Sequence, residues 1–159
     1  ESDLKKLNII KKEFITNVKI IEDIIKPLGS YHKKALYIKE ISNILLTKYN
    51  GIVPNNRKEL ELMPGVGRKT TNVVLSELFD IPTMAVDTHV ERVSKRLGLA
   101  NKNDDVLKIE KKLSKIFDKS EYNKINHQLL LFGRYYCKAK NPLCQNCKMD
   151  CKYKKTRKI

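Results

Sequence analysis

Apolar residues recur along the chain at helical spacing, and no stretch alternates apolar and polar positions as a half-buried strand does. The pattern predicts an all-α protein. Leu4, Leu7 and Ile10 to Phe14 mark a first helix, and Ile20, Ile21, Ile24 and Ile25 a second that stops near Lys26 because Pro27 follows. Ser30 is placed to cap a third helix, which carries Leu36, Ile38, Ile41, Leu45 and Tyr49 and ends at Asn50-Gly51, where glycine accepts the left-handed conformation of a C-terminal cap. After Pro54 a short helix over residues 57–62 is broken by Met63-Pro64-Gly65-Val66-Gly67, and helical periodicity resumes from Arg68 to Phe79 through Val73, Val74 and Leu78. Two helices thus flank one tight hairpin. Beyond Asp80-Ile81-Pro82, further helices are expected over Asp87–Leu97, over Asp104–Phe117 and from Tyr122 to about Tyr136, joined by short connections.

With 159 residues, 41% hydrophobic and 32% charged, the chain can bury a sizeable core as one ordinary domain or two small ones. Thirty-three basic residues against 18 acidic ones leave a formal charge of +15, which favours a polyanionic partner, either nucleic acid or an anionic membrane surface. No run approaches the roughly 18 apolar residues of a membrane span, and no basic start leads into an apolar signal core. A soluble, unexported, cytoplasmic protein is expected. The chain opens Glu1-Ser2-Asp3 without an initiator methionine, so further residues are expected to precede it. The charge is unevenly placed: residues 134–159 hold nine basic residues and one acidic residue, and all four cysteines.

Cys137, Cys144, Cys147 and Cys151 read C-x6-C-x2-C-x3-C. Thiols of an unexported protein stay reduced, so a metal centre is the better reading than two disulfides. Zinc usually takes paired knuckles well separated in sequence, whereas consecutive short gaps suit an iron–sulfur cube; zinc stays the alternative. Lys138, Lys140, Lys148 and Lys152 surround the ligands and offset the negative charge of such a centre. The loop from Cys137 to Cys144 would then be rigid and basic, suited to phosphate oxygens.

Leu62-Met63-Pro64-Gly65-Val66-Gly67-Arg68-Lys69-Thr70 is not a nucleotide-binding P-loop, because Arg68 stands where glycine must precede the lysine and no strand leads into it. A helix-hairpin-helix fits instead. Its glycines would leave backbone N–H groups exposed at a helix N-terminus, where one DNA phosphate can sit. A plain turn between two helices, with glycine at left-handed positions, explains the pattern equally well. Lys69 falls in the first turn of the following helix, where the positive dipole end disfavours an ammonium and favours a nucleophilic amine able to form Schiff bases. Asp87, in Ala85-Val86-Asp87-Thr88-His89, reads first as a helix N-cap. Facing Lys69 across a cleft, it could also stabilise positive charge on a sugar ring and move protons. His89 reads as a packed or capping histidine.

The three motifs, residues 62–70, residues 85–89 and the four-cysteine loop, occur in the order and approximate spacing of the endonuclease III family of DNA glycosylases, which the chain resembles from about Leu4 to Tyr153. The resemblance implies an all-α fold of two lobes, expected here as residues 1–81 and 82–159, with damaged double-stranded DNA across the cleft and a [4Fe-4S] cluster on the four cysteines. It implies Lys69 as nucleophile and Asp87 as catalytic carboxylate of a monomeric, bifunctional enzyme. Such an enzyme excises an oxidised pyrimidine, holds the sugar as a Schiff base and cuts the strand by β-elimination. DNA contacts are implied for Leu62, Pro64, Gly65, Val66, Gly67, Arg68 and Thr70 in the hairpin, for Lys138 and Lys140 in the cysteine loop, and for Ser30 and Tyr31 where the stack is wedged open.

Three features depart from the family pattern. The last cysteine gap is three residues where the family usually has five, Ser30 stands where relatives place a bulky wedge, and Glu1 aligns just after the loop from which the lesion is probed. If nothing precedes Glu1, the last departure predicts weak excision with surviving lyase activity at abasic sites. Two other classes of function remain at this level: a non-catalytic DNA-binding module that keeps hairpin and cluster, and an electron carrier, which leaves the hairpin unexplained.

Overall fold

A computed structural model describes residues 17–156, so the expected first helix, Leu4 to Phe14, lies outside the described residues. Among them there is no strand, and no helix is long and apolar enough to cross a membrane. The chain is all-α, as its periodicity predicts. It divides into two compact units, residues 1–67 and 68–159. This division falls before the helix over Arg68–Phe79, which the expected lobes 1–81 and 82–159 place in the first. That helix is anchored in the second unit, where Asn72 donates to the carbonyl of Met84 and to Glu110.

In the first unit, helix α1 (Val18–Ile25) is capped by Asn17, whose side chain accepts from the Lys19 N–H at 3.1 Å. It packs on α2 (Tyr31–Lys48), burying Ile21 and Ala35, and His32 Nδ1 meets Glu22 Oε1 at 2.7 Å. Ser30 stands at the N-cap of α2 but makes no side-chain cap bond. Its left-handed φ of 58° departs from the extended backbone that aims a cap hydroxyl at the first-turn N–H groups, which corrects the capping expectation. At the other end, left-handed Asn50 and Gly51 let the Gly51 N–H reach back to Leu45 O at 2.7 Å.

Helix α3 (Arg57–Glu61) is capped by Asn56, which accepts from Glu59 N–H at 2.9 Å, while Leu60 and Met63 are buried. The hairpin turn follows, with Val66 N–H donating to Met63 O at 3.1 Å. Gly65 has φ 72°, and a Cβ added there would lie 2.2 Å from Tyr37 Cδ2, so backbone and neighbour both demand glycine.

The second unit holds α4 (Arg68–Phe79), α5 (Thr88–Leu97), α6 (Val106–Ile116), a 3₁₀ turn (Lys119–Glu121), α7 (Tyr122–Tyr135) and α8 (Lys152–Thr156). Its core is Met84, Val86, Val90, Val93, Ala100, Ile109, Leu113, Tyr122 and Leu129. These residues lie on α5, α6 and α7, on the irregular segment before α5 and, for Ala100, on the connection after it. Gly133 lets α7 approach α5 closely: a Cβ there would stand 3.0 Å from both His89 Cβ and Val93 Cγ2. Helix α6 starts one position later than its sequence suggests. Asp105 caps it, accepting from the Lys108 N–H at 2.8 Å, while Asp104 turns back to the Asn101 N–H and to Lys112. The sequence does not predict α8, which is short and carries Tyr153 as its one large apolar-bodied side chain.

Candidate active site and cysteine centre

Lys69 is the second residue of α4 and is exposed; among the described residues it makes no ion pair. The turn that bears it is held from below. Arg68 grips Glu110 on α6 with a two-point fork, Nε to Oε2 at 2.8 Å and Nη2 to Oε1 at 2.7 Å. The same Oε2 accepts from Asn72 Nδ2 at 3.2 Å.

Asp87 is the N-cap of α5, and its two bonds, from His89 N–H at 2.9 Å and Val90 N–H at 2.8 Å, both end on Oδ1. Oδ2 is left without a protein donor among the described residues. A single carboxylate can thus cap a helix and still present an oxygen to a ligand. Lys69 and Asp87 fall in one compact unit but do not pair directly: no ion pair joins them within 4.0 Å. The link is through the backbone before Asp87, where Asn72 Nδ2 donates to Met84 O at 2.8 Å. His89 is partly buried, with Nδ1 3.1 Å from Arg92 Nη2, consistent with its reading as a packed residue.

The four cysteines are free thiols, and all line one small pocket, together with Leu97, Phe132 and Tyr136. Cys137 leaves α7 with its N–H on Phe132 O at 2.8 Å, and Lys154 Nζ donates to Cys147 O at 3.0 Å. Among the described residues, no three His, Cys, Asp or Glu side chains converge on a single ion. Four sulfurs around one zinc would stand about 4 Å apart.

Two arginines on α5 hold the first ligand. Arg92 Nε donates to Cys137 O at 3.0 Å and Arg92 Nη2 to Gly133 O at 2.7 Å. Arg96 Nη1 donates to Lys138 O at 2.7 Å and to Cys137 Sγ at 3.4 Å, and its guanidinium stacks 3.9 Å from the Tyr153 ring centre. Sequence reasoning missed both arginines, and Asn72, Glu110 and Asn126 as well. The available signal was arginine at positions i and i+4 of one helix, and a buried-type amide inside an apolar helical pattern.

The expected DNA contacts are divided between the two units. In the first unit Leu62 and Gly67 are exposed, Pro64 and Val66 partly buried, Ser30 exposed, and Tyr31 lies 3.9 Å from the His32 ring. In the second unit Arg68, Thr70, Lys138 and Lys140 are exposed. Because Arg96 draws the carbonyls of residues 137 and 138 inward, the cysteine loop is braced from the protein side.

Residues 15–119 match the model of the HhH-GPD superfamily base excision DNA repair proteins. Endonuclease III of Bacillus subtilis (strain 168) is 50% identical over 123 residues, 77% of this chain and 56% of that protein. Endonuclease III of Thermotoga maritima is 45% identical over 137 residues, covering 85% of this chain and 64% of that protein. The chain thus spans about six-tenths of the length of the curated relatives it matches. A solved structure of a trapped endonuclease III–DNA covalent intermediate superposes with a TM-score of 0.86 at 45% identity, covering 94% of this chain and 71% of that one. A thermostable thymine-DNA glycosylase superposes at 0.79 with 25% identity, covering 92% and 70%. Half the residues shared with endonuclease III, over a fold of the same shape, place this chain in the endonuclease III family of the HhH-GPD superfamily of base excision DNA repair proteins.

Proposed function

We propose that this protein is a DNA glycosylase and abasic-site lyase that removes oxidised pyrimidines from double-stranded DNA, acting as a cytoplasmic monomer. The observation that carries the reading is the presence, within one unit, of an exposed lysine on the first turn of α4 and of a carboxylate that caps α5 through one oxygen only.

The Lys69 amine attacks C1′ of the flipped nucleotide, the bond from C1′ to the base breaks, and the base leaves with the electron pair and takes up a proton. Loss of a proton from the nitrogen and opening of the sugar ring give a protonated Schiff base. That iminium acidifies C2′; removal of its proton expels the 3′ phosphate with the C3′–O electron pair and cuts the strand. Asp87 Oδ2 stabilises positive charge on the sugar and carries the protons. Flipping costs a few kcal/mol, least for damaged bases, and phosphate contacts at residues 62–70, Lys138 and Lys140 help supply it.

The hairpin reading gains support at Gly67, where φ is not left-handed and an added Cβ would meet nothing within 4 Å. Neither strain nor crowding inside the protein requires glycine there. A DNA phosphate approaching the backbone from outside would favour it. For the cysteines, the consecutive short gaps of their spacing, their shared pocket and a cationic donor on Cys137 Sγ support a [4Fe-4S] cube, with zinc the alternative. Such a cluster supplies covalent bracing for the loop that carries Lys138 and Lys140.

Borohydride reduction in the presence of an abasic duplex tests the reading. Wild-type protein should be trapped covalently on DNA and Lys69→Gln should not. DNA binding with no trapped adduct would instead identify a non-catalytic binding module. A brown, iron-containing preparation supports the cube, and a colourless one with a single zinc overturns it.

A further inference from the structure

We infer that Asn72 is a positioning residue: its side-chain amide fixes the segment leading to Asp87 against the helix that carries Lys69, and so sets the separation of carboxylate and amine at the reacting sugar. The inference rests on the proposed roles of Lys69 and Asp87.

Asp87 is reached through residues 80–87, which belong to no helix. Without a ladder of its own, that segment takes its geometry from side chains that grip it. Asn72 is 1% exposed; its side chain donates from Nδ2 to Met84 O at 2.8 Å, and its backbone carbonyl accepts from Thr83 Oγ1 at 2.6 Å. From the other side, Asn126 on α7 accepts from the Ala85 N–H and donates to Thr83 O, each at 3.2 Å. Residues 83–85 are thus clamped between two buried amides, two positions before the carboxylate.

The clamp is coupled to the lysine as closely as a helix allows. Lys69 and Asn72 are spaced i, i+3 and are neighbours on the surface of α4. Glu110 joins the two ends: one carboxylate accepts Asn72 Nδ2 and the fork of Arg68, the residue before Lys69. With Met84 O and Glu110 Oε2 both in front of it, the amide nitrogen uses both its protons and the amide has one orientation. A leucine would fill this volume without the cost of burying a polar group. What an amide adds is a fixed register between α4 and the Asp87 segment, and a reacting geometry displaced by about 1 Å costs on the order of a hundredfold in rate.

The test uses the full chain and an abasic duplex under single turnover, with protein saturating. In Asn72→Ala, and in Asn72→Asp, which keeps the size but loses the donor, the rate of borohydride trapping should fall tenfold or more. The affinity for the duplex should stay within twofold and the helical circular dichroism should be unchanged. Thr83→Val removes only the hydroxyl bond to the Asn72 backbone carbonyl and should give a smaller loss, which separates the side-chain amide from the rest of the clamp; Asn72→Ser, a smaller polar side chain, serves where either Asn72 variant misfolds, with the same fall expected. In an Asp87→Asn background, Asn72→Ala should cost less than threefold further, because its effect passes through that carboxylate. Wild-type trapping rates in all three single variants overturn the inference, as does a full multiplicative loss in the double variant. Failure to trap the wild type removes the catalytic reading and the inference with it; a trapped wild type with an indifferent Asn72 removes the inference alone.

Discussion

Arg96 donates to the sulfur of Cys137 at 3.4 Å, and it does so from helix α5, the helix capped by Asp87. The same guanidinium lies 3.9 Å from the ring centre of Tyr153, two residues beyond the last cysteine, so one side chain links the first cysteine to the segment after the last. This brace stands where the last cysteine gap is short. Arg96→Ala should lower the iron bound per chain and speed its loss to chelators. In whatever cluster remains, losing a donor to a ligand sulfur should shift the reduction potential to more negative values, because such donors stabilise the more negatively charged reduced state. Arg96→Lys keeps the charge but not the planar stack, and should restore part of the potential without restoring retention. Iron analysis and voltammetry of the purified variants check both expectations.

In the proposed mechanism Asp87 does two jobs with two oxygens, and substitution can separate them. Asn also caps helices, so Asp87→Asn should leave stability within about 0.5 kcal/mol while trapping of abasic DNA falls about a hundredfold or more. Asp87→Ala loses the cap as well and should cost about 1 kcal/mol further, seen as a melting temperature lower by about 2–4 °C. Equal stability losses in both variants would mean that the cap is not the structural role.

Asp104 reports the pH dependence of the second unit. The hydrogen bond from Lys112 Nζ, at 2.5 Å, and that from the Asn101 N–H, at 2.7 Å, hold its carboxyl below the ordinary carboxylate value. A carboxyl depressed in the folded state adds stability above its unfolded value, near pH 4, and loses it as the pH falls through the lower folded value. The urea midpoint should therefore drop on acidification below about pH 4, and Asp104→Asn should flatten that part of the profile.

Helix placement was legible in the sequence because it follows from spacing: Pro27, Gly51 and residues 63–67 interrupt apolar periodicity where the helices end. Asp87 was legible as a cap for the same local reason. What local pattern cannot carry is a bond between residues far apart in sequence. Asn72 to Met84, Arg68 to Glu110 and Arg96 to Cys137 span 12, 42 and 41 residues, and each depends on packing that exists only after folding. Ser30 misled for a related reason: its identity suits a cap, but the turn after Pro27 sets a left-handed backbone that aims the hydroxyl elsewhere. Helix α8 is too short for periodicity to register.

The two hairpin glycines should fail in opposite ways. Gly65 combines φ 72° with a Cβ position 2.2 Å from the Tyr37 ring, so Gly65→Ala meets both a backbone penalty of about 1–2 kcal/mol and a steric clash. It should destabilise by at least about 2 kcal/mol, and any loss of DNA binding should follow the loss of folded protein. Gly67 has open space around it and no left-handed backbone, so Gly67→Ala should change stability by less than about 0.5 kcal/mol. If a phosphate sits against the backbone there, the new methyl group stands in its way. Affinity for duplex DNA should then fall about tenfold, and the slope of log affinity against log salt should become shallower by about one contact. Chemical denaturation and a salt titration of binding on the two variants separate the outcomes: a Gly67→Ala protein that binds as wild type would leave a plain turn between α3 and α4, with glycine needed only at residue 65.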